Sequence, residues 1–145
     1  MPDLLRAASP ALRSLSRTKV VVFAVVLAVV VNVIVHACGR LAGGSFAFTT
    51  PDGPAEVGAV TVAGFSAVPL AAGLVLVALL ARRFPWAARA GAIVGSVLAI
   101  GTIATMTLPA DLDTVSTITL ALCHLTLVPI VVGACALLRS HQPGR

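Results

Sequence analysis

The chain has 145 residues, 59% of them apolar and 10% charged, with ten Lys and Arg against five Asp and Glu. A charged share so far below the globular norm of about 25% excludes a soluble domain with ordinary polar surface. The mean hydropathy of +1.07 fits a single membrane domain, and no long polar stretch remains for a second one.

Residues 1–19 form a basic leader carrying Arg6, Arg13, Arg17 and Lys19. Within it, Ser9 as N-cap and Pro10 in the first turn predict a short helix running toward Arg17 at the membrane interface. Four uncharged stretches follow, residues 20–39, 57–81, 90–110 and 114–138, before a short basic tail, 139–145. At 1.5 Å rise per residue, about 20 apolar residues cross about 30 Å of hydrocarbon, so each stretch predicts one transmembrane helix and none is long enough for two. The runs are continuously apolar and lack the alternation of a membrane barrel, which disfavours strands.

The first span ends in Val35-His36-Ala37-Cys38, which loosely resembles the box before a lipid-modified cysteine. His36 spoils that match, so the expectation is an uncleaved first helix. The loop 40–56 contains Ser45-Phe46-Ala47-Phe48-Thr49-Thr50, then Asp52-Gly53 between two prolines, a strong turn signal. If extended, this piece puts Phe46 and Phe48 on one side, and we expect it to rest on the membrane, with a ligand lid or docking surface as the functional alternative. Pro69 and Pro129, near the middles of spans two and four, are expected to kink them. Between spans two and three, Arg82, Arg83 and Trp86 combine cationic anchors with an interfacial ring. Asp113 stands where it can cap the fourth helix.

Nine of the ten basic residues fall in the leader, the 82–89 turn and the tail, and Arg40 is the exception. The positive-inside rule therefore places both termini in the cytoplasm and the 40–56 loop outside. The basic residues flank spans and do not line a groove, so their expected partner is anionic lipid headgroup and not nucleic acid. A membrane-protein partner or a second copy of the chain is the other partner this pattern allows.

Polar residues within the spans need partners or a water-filled cavity. Asn32 and His36, four apart, share a face of helix one; Thr117 and His124 lie two turns apart in span four; Thr102 and Thr105 lie in the same half of span three. By rise, Asn32 lies about 10 Å and His124 about 15 Å below the outer surface, against about 5 Å for His36. These six residues are the candidate polar layer. It serves either as interhelical glue, at about 0.6 kcal/mol per bond, or as the wall of an outward-facing polar cavity around Asn32 and His124 that binds a small molecule. Haem held by His36 and His124 is disfavoured by their depth difference of about 10 Å, and no cofactor or metal is expected. Cys38, Cys123 and Cys135 have no paired spacing and read as packing residues. Gly91, Gly95 and Ala99, like Ala63, Ala67 and Ala71, form small-residue rows that let helices approach closely.

No hydrolase, zinc-protease or phosphate-loop motif is present, and no buried carboxylate suggests proton coupling, so the chain is not expected to be an enzyme. The pattern as a whole resembles a family of small actinobacterial integral membrane proteins with four predicted helices and no known function. The resemblance spans about residues 20–138. It rests on Val31-Asn32-Val33-Ile34-Val35, Val57-Gly58-Ala59-Val60, Pro69-Leu70 followed by Gly73, and Asp113-Thr114 through Ala121-Leu122-Cys123-His124-Leu125, with Cys123 standing where the family pattern has methionine. It implies an all-α, four-helix transmembrane bundle and leaves the activity open. The expected role is a structural or interaction component of the membrane, with a small-molecule or lipid binder or conduit as the alternative.

Overall fold

The computed structural model describes residues 15–140. The leader helix expected from Ser9 lies mostly outside them. Four helices are each long and apolar enough to cross a membrane, which establishes the four-helix architecture and is consistent with a multi-pass membrane protein. They are α1 (Arg17–Leu41), α2 (Ala59–Leu80), α3 (Ala87–Thr102) and α4 (Thr114–Ser140), with α3 continued by a π-helical turn, Ile103–Thr107.

Each helix begins or ends for a local reason. Ser16 caps α1 by accepting from the Lys19 amide, and Gly58 precedes α2 in extended conformation. Asp113 accepts from the Ser116 amide at 2.9 Å and so caps α4. Phe84, Pro85 and Trp86 separate α2 from α3, with the Phe84 and Trp86 rings 6.0 Å apart and Arg82, Arg83 and Trp86 all exposed. Pro69 and Pro129 both lie inside continuous helices.

The loop after α1 is more ordered than expected. Strands β1 (Ala47–Thr50) and β2 (Gly53–Glu56) pair antiparallel, Ala47 with Glu56 and Thr50 with Gly53, around a turn at Pro51-Asp52. Gly53 takes φ +123°, a region open to glycine because it lacks Cβ, and this is where the turn signal lay.

Packing runs α2–α1–α4–α3, with extensive contact between successive members of that series and much less between α2 and α3. The buried row of α1, Ala24, Ala28, Asn32 and His36, recurs every four residues, and Val62, Ser66, Leu70 and Leu74 do the same on α2. The apolar core sits toward the arginine turn, where Val20, Leu74, Val77, Ala88, Cys135 and Leu138 meet. Arg17 reaches across this end to donate to the Ala78 carbonyl. Glycine makes these approaches possible: a Cβ on Gly91 would overlap the Val77 side chain, and one on Gly95 would lie 2.7 Å from Val131 Cγ1. On α2 the buried stripe is Val62, Ser66 and Leu70, so the Ala63, Ala67 and Ala71 row lies beside it, half-buried. The buried polar residues, Asn32, His36, Ser66, Thr107, Ser116 and Thr119, all fall in the half nearer the hairpin. One end of the bundle is therefore closed by hydrocarbon packing and the other is built on polar contacts.

Candidate functional site

At the hairpin end the polar residues form three separate constellations. The first is centred on Asn32, 1% exposed, whose Nδ2 donates to Ser66 Oγ at 2.8 Å while its Oδ1 accepts from Thr126 Oγ1 at 2.6 Å. Cys123 Sγ lies 3.7 Å from the Asn32 carbonyl oxygen, so α1, α2 and α4 are joined at one level. Both ends of the Asn32 amide are thereby satisfied, the condition for burying such a group in hydrocarbon.

The second constellation is His124 with Thr102, whose Nδ1 and Oγ1 are 2.9 Å apart and link α4 to α3. The Thr102 hydroxyl also lies 2.9 Å from the carbonyls of Leu98 and Ala99 in its own helix. When the single Thr102 proton goes to one of those carbonyls, the hydroxyl oxygen is left to accept from Nδ1–H, and in that tautomer Nε2 is an acceptor.

The third is a plug beneath the hairpin. His36 Nε2 lies 2.9 Å from the Val57 carbonyl oxygen, and the His36 ring packs 4.4 Å from that of Phe46. Phe46, completely buried, adopts φ +55°, a left-handed conformation uncommon for a non-glycine residue. The Arg40 guanidinium lies 5.9 Å from the Phe46 ring centre, and Arg40 also pairs with Glu56 and donates to the Ser45 carbonyl. Phe46 thus points into the bundle, while Phe48, in β1, is half-buried and borders a cavity.

Two aspartates at the start of α4 hold this plug. Asp113 Oδ2 accepts from the Ser45 amide, the Ser45 hydroxyl and the Ser116 hydroxyl, and Ser116 Oγ in turn accepts from the Phe46 amide. Asp111 accepts from the amide and hydroxyl of Thr49 in β1. The hydrogen bonds from Ser116, then those from Ser45, hold the Asp113 carboxyl well below its ordinary range, and Thr49 lowers Asp111 in the same way.

Between these constellations lies a cavity of about 280 Å³. Asn32, Ser66, Cys123 and His124 border its inner part, Thr61, Val62 and Phe65 the α2 side, and Met106 and Thr107 the π-helical turn. Among the six polar residues singled out in the sequence, Asn32 and His124 border this space and Thr102 supports His124. His36 belongs to the plug, Thr105 is exposed and bonds back to the Gly101 carbonyl, and Thr117 bonds back to that of Asp113. Ser66 and Thr107 were not legible as site residues. Ser66 is a lone hydroxyl in an apolar run on the four-residue row of α2, and Thr107 is directed inward by a wide turn that sequence periodicity does not reveal. Among the described residues no group of three His, Cys, Asp or Glu side chains is placed to hold a metal ion.

No curated protein and no solved structure matches the chain. A family model does, over residues 12–141, and the chain accordingly belongs to a family of unknown function, DUF6069.

Proposed function

We propose that this chain is a non-enzymatic multi-pass protein of the bacterial plasma membrane, with both termini cytoplasmic, that binds a small lipophilic molecule in an outward-facing cavity. The observation that carries this reading is the cavity itself, which approaches the size of small-molecule pockets and combines apolar walls with a few convergent polar groups. Support for the orientation comes from the basic residues: Arg82 and Arg83 lie between α2 and α3 with Arg89 in the first turn of α3, and the hairpin end has Arg40 paired with Glu56. On this orientation Arg82, Arg83 and Trp86 rest among anionic headgroups. The resemblance to actinobacterial membrane proteins supports the choice of membrane.

A second reading, a structural or partner-binding component, is favoured by the Asn32–Ser66–Thr126 layer, whose side chains partner one another with no ligand. Native mass spectrometry of the intact chain in mild detergent separates the two. A reproducible added mass that disappears in Thr61→Trp, a change at the exposed rim, supports the binder. A bare monomer or dimer carrying only exchangeable phospholipid supports the structural component.

A further inference from the structure

The cavity's chemistry narrows what it can hold. None of the residues lining it is charged, so an ionised ligand would enter with no partner for its charge. Three of its polar groups, the hydroxyls of Thr61 and Thr107 and Nε2 of His124, make no hydrogen bond to any described residue. Thr107 is the most telling of these. The residue is only 4% exposed, yet no fully buried polar side-chain atom among the described residues lacks a partner, so its unpartnered hydroxyl opens onto the cavity. Asn32 and Ser66, by contrast, are already engaged with each other.

α2 and α3 meet closely at Gly91 and Val77, near the arginine turn, and contact each other little elsewhere. The cavity lies at the other end of this pair, where the exposed Phe65 on α2 and Met106 on the π turn form its rim. Both side chains face where lipid would be, and the π turn is what brings Met106 and Thr107 to the opening.

Resting on the cavity reading above, we infer that the ligand is an uncharged, single-headed lipophile bearing a hydroxyl, taken sideways from the bilayer between α2 and α3. Its hydroxyl donates to His124 Nε2 and accepts from Thr107, while its apolar body lies along Phe65, Met106 and Leu127. A cavity of 280 Å³ is about twice the 150 Å³ that accommodates benzene, which suits a small ring system or a chain of about a dozen carbons.

The test uses the full chain in phosphatidylcholine nanodiscs and three photoprobes carrying the same diazirine: dodecanol, its methyl ether and dodecanoate. We expect dodecanol to label the α2 segment around Phe65 and the π turn at least tenfold more than dodecanoate at neutral pH, and Thr61→Trp to abolish that labelling. His124→Phe should erase a preference of about fivefold for the alcohol over its ether while the protein still folds and is still labelled. Should dodecanoate label the cavity as strongly as dodecanol, with both lost in Thr61→Trp, the cavity reading survives and the ligand class is overturned. Even labelling of lipid-facing residues by all three probes, unchanged in Thr61→Trp, overturns both. An alcohol preference that persists in His124→Phe overturns the acceptor role of Nε2.

Discussion

Asn32 shows how one side chain in an apolar helix organises three. Its amide donates to Ser66 and accepts from Thr126, so Asn32→Leu should cost about 1 kcal/mol, measured by reversible unfolding in detergent micelles. The loss is modest because the two hydroxyls can turn to carbonyls of their own helices. Gly95 tests packing instead of polarity. An added Cβ would press on Val131, so Gly95→Ala should destabilise by about 1–3 kcal/mol, and Val131→Ala in the same chain should recover part of that loss. The importance of Asn32 and of the Gly91-Gly95 row was legible in the sequence, since a lone amide and a small-residue row are both anomalous in a span. Their partners were not, because Ser66 and Val131 each lie on the following helix, Ser66 34 residues on from Asn32.

At the scale of elements, the hairpin is an extra-helical piece fastened by carboxylates. Its two short strands are too few to be stable alone, and the Asp111 and Asp113 bonds to Thr49, Ser45 and Ser116 tie it to the start of α4. Both carboxyls have a lowered folded-state pKa, so their contribution is fully present above the ordinary value of 3.8 and is lost as pH falls through the lower folded-state values. Amide exchange at Ser45, Phe46 and Thr49 should therefore accelerate as pH is lowered below about 4, relative to the intrinsic exchange rate at each pH. In the Asp111→Asn, Asp113→Asn double variant, protection should already be reduced at neutral pH and the acid-dependent step should vanish. The sequence marked the turn at Asp52-Gly53 and the cap at Asp113. It did not reveal that the same aspartate would hold Ser45, because that contact links residues 68 apart in the chain.

For the whole molecule, the asymmetry between a sealed arginine-turn end and a polar hairpin end follows from where the chain places its small and polar residues. Alanine, leucine and valine dominate the core near the turn, and glycine lets α3 close against α2 and α4 there. Toward the hairpin α2 and α3 contact each other little, and the cavity occupies that region. The proposed orientation gives a direct check. In a Cys38→Ser background, Asp52→Cys should react with a membrane-impermeant maleimide on intact cells, whereas Arg83→Cys should react only after permeabilisation. Labelling in the reverse order would invert the topology.

Four helices, their approximate extents and the apolar character of their surfaces were determined by the sequence alone, because hydrocarbon thickness translates directly into a run of uncharged residues. The same holds for the turn glycine and the capping aspartate, whose effects are local. Which polar groups meet was decided only by the tertiary structure. Asn32 joins Ser66 and Thr126, His124 joins Thr102, and His36 turns to the hairpin, because helix rotation and the π turn after Thr102 set which way each side chain faces. Depth along a span can be counted from a sequence, but azimuth around a helix depends on what packs against it, and the cavity exists only where those azimuths converge.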